Sequence, residues 1–365
     1  MQGLVLKIDD RLKIRTIQFF NNVSLELRYD SIASVFKFDC YFDPENHDQE
    51  ELFCVTHFHE AIIEYNGIQF LRGFIVSQGF RDSSVKQFAQ FGGYTLTGVL
   101  EDCNISPDSY PLQYNGLSLS QIAKKLLTPF KLDIIIDPAV QSLMDKSYSE
   151  TTAEPTDTIA DYLTKLANQR NIIISHDEYG RLLFTRIASQ SLPVLNVEEG
   201  LVGTEMTMTF SGQPMHSHIT VLRQADKDGG NAGQYTIRNP FVPVAHTYRP
   251  KTITQNSGDN NSTQQAAQNA LAAELKNVVL TIKIDRWIID GKIIKPNSVI
   301  SVLNKKLYLY KRTKFFIESV SYEGNSESHT AILTCVPMAC YDGSEPKNIF
   351  VSPHNNSPTG FTQNF

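Results

Sequence analysis

Short runs in which apolar and polar residues alternate constrain the fold of this chain most strongly. They occur near the N-terminus, at 4–8, 23–27 and 35–39, and again in the C-terminal half, at 204–210 and 278–284. Side chains along a β-strand point alternately to opposite faces of the sheet. The pattern therefore predicts two strand-rich regions in which each strand buries one face.

Hairpin signals occur in both regions. The runs 61–65 and 68–71 are separated by Asn66-Gly67, a dipeptide that supplies the positive φ angles of a type I′ turn. A second hairpin is predicted over 287–294. The remaining strands of the C-terminal region are expected near 298–303, 307–310, 314–322 and 329–336.

The middle of the chain has a helical period instead. Ser118 is an expected N-cap, because the apolar positions that follow it recur at helical spacing until Pro129. A second helix with the same spacing is predicted after 155–157. Strands are expected between and after the helices, at 132–136, 172–175 and 182–185. Helices and strands in this order predict a small α+β unit.

These patterns predict an α+β, β-rich fold. A first β domain should cover 1–103, the α+β domain 104–187 and a second β domain 188–340. An insertion at about 223–277 should interrupt the second β domain, because the polar stretch from Asp226 to about Ser262 is long for a loop. We expect this excursion to order on assembly, with Ser262 capping a helix that follows. The tail, 341–365, is rich in Asn, Ser and Pro and is expected to be flexible in isolation.

Composition limits the class of protein. The chain has 365 residues with a formal net charge of −6, which disfavours tight wrapping of DNA because DNA phosphates bind basic surfaces. No stretch approaches the roughly 20 apolar residues of a membrane-spanning helix, and the N-terminal residues lack the pattern of a signal peptide. We therefore expect a soluble protein that is not exported by a cleaved signal.

The five cysteines are predicted to be reduced core residues, as in a protein that assembles in a reducing cytoplasm. Their number is odd, they lie in apolar segments, and no two have the CxxC spacing. They are Cys40, Cys54, Cys103, Cys335 and Cys340.

Two histidine pairs are the best candidate metal ligands. His57 and His59, like His216 and His218, lie two residues apart, and on a strand both imidazoles of a pair would face the same side. Neither pair has a third ligand at a diagnostic spacing. Ordinary strand histidines are therefore favoured over a zinc site.

Evidence for catalytic chemistry is weak. The adjacent carboxylates Asp9-Asp10, Glu50-Glu51 and Glu198-Glu199 would face opposite ways on an extended chain, so each pair is poorly placed for acid and base roles. Signatures of nucleophile elbows, zinc proteases and phosphate-binding loops are absent from the sequence. The single tryptophan, Trp287, is better explained as a core or interface anchor than as a sugar-stacking platform. We predict no catalytic, cofactor-binding or metal residues, and no enzyme.

Three sets of segments, in order and spacing, resemble a known family. They are 64–67 with 72–75 and a strand over 94–103; 114–123 with a helix and hairpin over 157–186; and 286–300 with 316–320. Together they resemble the baseplate hub proteins of Mu-like contractile-tailed phages, relatives of the hubs of T-even phages and of long-tailed siphophages. The chain departs from the family in having Val99 where a basic residue follows the glycine, and in the polar segment after Arg223.

The resemblance implies a homotrimer in which each subunit supplies two tube-type β-barrel domains, forming a pseudo-sixfold ring. Such a ring would join the tail tube or distal tail protein to a central spike or tail fibre. It would also contact a tape measure protein and, transiently, the passing DNA, without stable membrane insertion. The protein would be part of the virion and assemble in the host cytoplasm. Two alternatives stay open: a tail-associated cell-wall hydrolase and a receptor- or carbohydrate-binding tail protein.

Overall fold

The structure, a computed structural model, describes most of the chain. The described residues are 3–9, 13–18, 20–43, 45–82, 88–187, 191–201, 203–223, 233–244, 247–255, 263–289, 291–325 and 327–351. They form a mostly β fold with few helices, which confirms the β-rich class predicted from the sequence. Among these residues, no helix is both long and apolar enough to cross a membrane.

The N-terminal half of the chain contributes seven strands and one helix. They are β1 (Leu4–Asp9), β2 (Ile14–Ile17), β3 (Asn22–Arg28), β4 (Val35–Tyr41), α1 (His47–Leu52), β5 (Glu60–Tyr65), β6 (Ile68–Arg81) and β7 (Phe88–Thr95). The strands lie in the order β3-β4-β7-β6-β5-β1-β2, and every neighbouring pair is antiparallel. The predicted hairpin joins β5 to β6: Asn66 has a φ of 51° and Gly67 a φ of 77°, as a type I′ turn requires.

A compact α+β unit follows. Its elements are α2 (Val99–Asp102), α3 (Leu119–Leu127), β8 (Ile134–Ile136), α4 (Gln141–Met144), α5 (Ile159–Asn168), β9 (Ile173–His176) and β10 (Leu182–Thr185). Strand β10 runs parallel to β8 and antiparallel to β9. Ser118 caps α3 as predicted, and a capping box with Gln121 completes the cap. The apolar faces of α3 and α5 pack into a separate hydrophobic core.

The strand predicted over 94–103 is wrong. Strand β7 ends at Thr95, a 3-10 turn follows over Leu96–Gly98, and α2 begins at Val99. The chain turns here because the Gly98 backbone lies against the Tyr94 ring: a Cβ at Gly98 would lie 2.4 Å from Tyr94 Cδ2. The Tyr94 hydroxyl donates to Asp102 Oδ2 at 2.6 Å and holds α2 against the strand end.

The C-terminal half contributes eleven strands and one helix. They are β11 (Leu195–Glu198), β12 (Thr204–Phe210), β13 (His218–Arg223), β14 (Gly233–Arg238), β15 (Pro250–Gln255), α6 (Thr263–Leu275), β16 (Val278–Ile284), β17 (Ile288–Ile289), β18 (Lys292–Ile293), β19 (Ser298–Asn304), β20 (Leu309–Asn325) and β21 (His329–Pro337). The strands predicted near 307–310 and 314–322 are one strand, β20. No glycine or proline interrupts Lys311–Thr313, and Thr313 pairs with Val302 of β19.

The described part of the polar stretch after Arg223 is folded, which differs from the excursion expected from the sequence. Strands β14 and β15 flank β13, and α6 covers this small sheet. The reason is a set of apolar positions that pack with Leu271 and Leu275 of α6: Ile219, Ile237 and Ile253. The segments 224–232 and 256–262, with the predicted cap Ser262, lie outside the described residues.

Strands from both halves of the chain join one sheet. Its order is β12-β16-β21-β20-β3-β4-β7-β6-β5-β1-β2, with β19 and β11 branching from β20. One large apolar core runs beneath both halves. Because these pairings describe a single open sheet, the two tube-type β-barrels stay a prediction.

The two halves follow the same plan. Strands β1, β3, β4, β5, β6 and β7 correspond in chain order and in neighbours to β11, β12, β16, β19, β20 and β21. One pair differs in direction: β1 runs antiparallel to β5, whereas β11 runs parallel to β19. The longest strand of each half, β6 and β20, carries a bulge at an equivalent point, between Ile75 and Ser77 and between Ile317 and Ser319. A 3-10 turn follows the last strand of each half. The halves meet where β20 pairs with β3.

All five cysteines are free thiols. Cys40, Cys335 and Cys340 are buried, as predicted, and burial raises the pKa of the Cys40 thiol to about 12. Cys103 is partly buried and packs against the core of the α+β unit, whereas Cys54 is partly exposed and lies outside the hydrophobic cores of the described residues.

Candidate assembly surface

The outer face of the large sheet is polar across the junction of the two halves. One row of paired residues crosses six strands, from β21 through β20, β3, β4 and β7 to β6: Thr330, Glu323, Ser24, Lys37, Gly92 and Ser77. The opposite face of the same strands is apolar and buried. The outer face therefore offers hydroxyls and charges of both signs, beside the exposed side chains of Val35 and Tyr41.

A shallow groove runs over this outer face. Two adjoining cavities of about 340 and 530 Å³ share Asn22, Asp39 and Gln90. The Asp39 carboxylate accepts hydrogen bonds from Asn22 Nδ2 at 3.2 Å and from Gln90 Nε2 at 2.8 Å. The amides of Asn22 and Gln90 thus fix the orientation of this carboxylate in the groove.

The junction between the halves shows how edges of this sheet pair. Tyr322 of β20 lies opposite Leu25 of β3, and both side chains are fully buried. The Tyr322 hydroxyl donates to the Ile294 carbonyl. Burial of large apolar side chains on the inner side stabilises this junction as a permanent contact.

The strand edges of β12 and β6, which are equivalent to the paired edges of β3 and β20, are open in the described part of the chain. Strand β12 ends the sheet, and residues 76–81 of β6 extend beyond its pairing with β5, so within the described residues each has a strand on one side alone. Each open edge exposes a phenylalanine: Phe80 is 45% exposed and Phe210 is 46% exposed. Open strand edges with exposed apolar side chains are sites where another chain can add a strand.

A polar junction holds the C-terminal segment and the turn after α6 to the large sheet. Lys276 Nζ lies 2.7 Å from Asp30 Oδ2 and 3.1 Å from Glu318 Oε1, and it donates to the Tyr341 hydroxyl at 2.6 Å. Burial opposes ionisation of Asp30, but the charges of Lys276 and Arg28 and the hydrogen bonds of Lys276 and Tyr341 together outweigh it and hold the pKa of this carboxyl below its usual value. The two carboxylates likewise raise the pKa of Lys276 against the effect of its burial.

A second junction fixes the hairpin of β9 and β10 against the sheet. His176 Nε2 lies 2.6 Å from Ser34 Oγ, and Gln69 Nε2 donates to the Glu178 carbonyl at 2.7 Å. Burial lowers the pKa of His176, so the ring is neutral at pH 7. The α+β unit is thereby positioned by directional contacts as well as by packing.

The histidine pairs do not lie as predicted. His57 and His59 are in a loop, not on a strand, with Phe58 between them at a φ of 47°. His216 precedes β13, where its Nδ1 lies 2.7 Å from the Oε1 of the buried Glu274, while His218 begins the strand. Among the described residues, no group of three or more metal-binding side chains lies together.

The other candidate residues are structural. Glu51 pairs with Arg15 and Glu198 with Arg312, while Asp10 lies outside the described residues. Trp287 is 1% exposed, and its Nε1 donates to the Thr330 carbonyl at 2.9 Å, which confirms its interpretation as a core anchor.

The sequence patterns did not predict the open edges of β6 and β12. The signal that could have found them is the tetrapeptide Phe-Ile-x-Ser, which occurs at 74–77 and again at 316–319, at equivalent bulges.

Comparisons with known proteins agree with this architecture. A family model described as the second domain of gp44-like baseplate hub proteins matches residues 97–186. A baseplate hub protein, gp44, of Escherichia phage Mu is 24% identical over 295 residues, which cover 74% of each chain. The chain is similar to the baseplate hub proteins of Mu-like phages. The resemblance seen in the sequence is thereby confirmed.

Solved structures related to the hub family share the fold. The 43 kDa tail protein of prophage MuSo2 from Shewanella oneidensis has a TM-score of 0.79 at 18% identity, covering 93% of this chain and 99% of that one. A tail protein from Neisseria meningitidis MC58 has a TM-score of 0.75 at 18% identity, covering 93% and 98%. Both likenesses extend over the two strand-rich halves and the unit between them, so the shared fold covers the whole architecture.

Proposed function

We propose that this protein is a structural tail hub in which three copies form a pseudo-sixfold ring. The observation that carries the proposal is the duplicated plan of the large sheet, in which two halves repeat the same strand order and the same bulge. Three chains with two similar halves each present six nearly equivalent units. Such a ring can meet a sixfold tube on one side and a threefold spike on the other.

In this proposal, residues 1–103 and 188–340 act as the two tube-type domains. The polar outer face of the sheet would line the channel, because hydroxyls and mixed charges stay hydrated and an overall charge of −6 repels a passing polyanion. The α+β unit, the small sheet with α6 and the tail 341–365 would then lie where neighbouring tail proteins make contact.

The partners follow from this arrangement. One side of the ring would bind the tail tube or distal tail protein, and the other the central spike or tail fibre protein, with a tape measure protein and DNA inside. The protein would act in the virion without reaction chemistry. This role agrees with that of the Mu relative, a baseplate hub protein.

The experiment that tests the proposal is a mass measurement by light scattering with negative-stain images of the same sample. A particle of three times the 41.1 kDa chain mass, with a central hole in top view, is the expected result. A compact single-chain particle at every concentration would count against the ring. Cell-wall degradation by the purified protein would instead favour the hydrolase alternative.

A further inference from the structure

We propose that neighbouring copies join by antiparallel pairing of residues 76–81 of β6 in one copy with β12 of the next. In this pairing, Gly79 lies opposite Thr209. The inference rests on the proposed ring and identifies the surfaces that form it. It follows from the internal repeat of the chain, because the contact between β20 and β3 within one copy shows how the same two kinds of edge fit together.

The first step is the equivalence of β6 and β20. Phe-Ile-x-Ser occurs at 74–77 and at 316–319, and in both strands the pairing to the last strand of the half shifts between the Ile and the Ser. Counting onward from the shared serine, Gly79 corresponds to Ser321 and Phe80 to Tyr322.

The second step is the equivalence of β12 and β3. In the first half, the pairing runs from Ser77 through Gly92 and Lys37 to Ser24; in the second, it runs from Ser319 through Thr334 and Thr281 to Thr207. Both rows cross the same four kinds of strand. Thr207 therefore corresponds to Ser24, and two residues further along each strand Thr209 corresponds to Glu26.

The third step transfers the register. Within one copy, Ser321 lies opposite Glu26, Tyr322 opposite Leu25 and Val320 opposite Leu27. The equivalent pairs between copies are Gly79 with Thr209, Phe80 with Met208, and Gln78 with Phe210. The register thus follows from observed pairings without any fitted parameter.

Burial supports this assignment. Tyr322 and Leu25 are fully buried, whereas their equivalents at the open edges are not: Phe80 is 45% exposed and Met208 is partly exposed. Phe210 is 46% exposed, while its equivalent Leu27 is 5% exposed. Pairing would cover these apolar side chains, which removes them from water as in the existing junction.

The polar side of the edges is also complementary. In the transferred register, Arg81 lies opposite Thr207 and diagonal to Glu205, within reach of a cross-strand ion pair. A Cβ built at Gly79 meets nothing within 4 Å, so a side chain can be introduced there without disturbing the single copy. Both strands are thus suited to a direct test by cross-linking.

The experiment uses the full chain carrying Gly79→Cys and Thr209→Cys, with the partly exposed thiols removed by Cys54→Ser and Cys103→Ser. Directly opposite residues of antiparallel strands have a Cα separation of about 4.5–5.5 Å, which a disulfide can span. Mild oxidation should convert most of the protein to covalently closed trimers on a non-reducing gel. Each single-cysteine variant should give no trimers.

The matched control is the equivalent pair inside one copy, Ser321→Cys with Glu26→Cys in the same background, which should lose the two introduced thiols while still running as a single chain on the non-reducing gel. A register control, Gly79→Cys with Glu205→Cys, should cross-link far less. Trp287 fluorescence checks that every variant is folded.

Trimers by light scattering without cross-linking of the first pair, Gly79→Cys with Thr209→Cys, would overturn the pairing and leave the ring intact. Equal cross-linking of the register control would overturn the register. Single chains in solution at every concentration would overturn both the pairing and the ring.

Discussion

Replacing Lys276 with methionine should destabilise the fold by about 2 kcal/mol at pH 7. The substitution keeps an apolar stem but removes the cation beside Asp30 and Glu318, whose side chains are 20% and 13% exposed. Breaking a fully buried ion pair costs about 3–5 kcal/mol, and an exposed pair contributes about 0–1 kcal/mol. The partial exposure of this junction places the cost between those limits, and Arg28, 3.6 Å from Asp30, compensates in part.

The assay is urea unfolding at a fixed protein concentration, followed by the fluorescence of the buried Trp287. The matched control is Lys306→Met, which removes an exposed lysine paired with Glu199 and should leave the urea midpoint unchanged.

The destabilisation caused by Lys276→Met should depend on pH, and the direction follows from the pKa of Asp30. The pKa of Asp30 is lowered in the folded state, so its contribution is present above the unfolded pKa, roughly 3.9, and is lost as the pH falls through the folded value. Protonation also relieves the carboxylates left without Lys276. The stability difference between the two proteins should therefore narrow as the pH is lowered from 7 to 3. A loss below about 0.5 kcal/mol at pH 7, or a difference that grows in acid, would refute this reasoning.

Three further predictions concern other buried polar groups. Tyr322→Phe removes the hydroxyl that donates to the Ile294 carbonyl and should cost about 1–2 kcal/mol in urea unfolding; an unchanged midpoint would contradict it. The pKa of His176 is lowered by burial, so protonation on going from pH 7 to 5 should destabilise the fold, and His176→Gln should flatten that loss; an equally steep loss in the variant would count against it. Glu274→Gln weakens the contacts to His216 and Lys251, so amide exchange should speed up in β13–β15 and not in β3–β4; uniform exchange rates would argue against a local role.

Local signals in the sequence predicted the local structure well. Asn66-Gly67 gave the correct hairpin because a two-residue turn is set by the φ angles of its own residues. Ser118 gave the correct helix start because a cap depends on the next three residues. Both features are decided within a few residues, so no knowledge of the tertiary structure was needed.

Features that depend on distant contacts were not predicted. The turn after Thr95 depends on the Gly98 backbone packing against the Tyr94 ring, and the small sheet depends on cover from α6. The candidate assembly surface is of the same kind, because an open edge is defined by which strands fail to pair. The sequence predicted a strand at 204–210 without showing that one of its sides is unpaired, and it did not predict that β6 continues to Arg81.

The open edges must stay soluble before they find a partner, and their residues explain how. Arg81 and Glu205 place a charge near the end of each edge, and the bulge after Ile75 twists β6, features that discourage indiscriminate strand addition. In the proposed pairing, these two charges of opposite sign lie diagonally across the strands, so the same residues that discourage wrong partners favour the right one. The equivalent junction between β20 and β3 joins two parts of one chain and needs no such protection. A duplicated chain can therefore use one kind of strand contact twice, once within a copy and once between copies, with charge selecting the second.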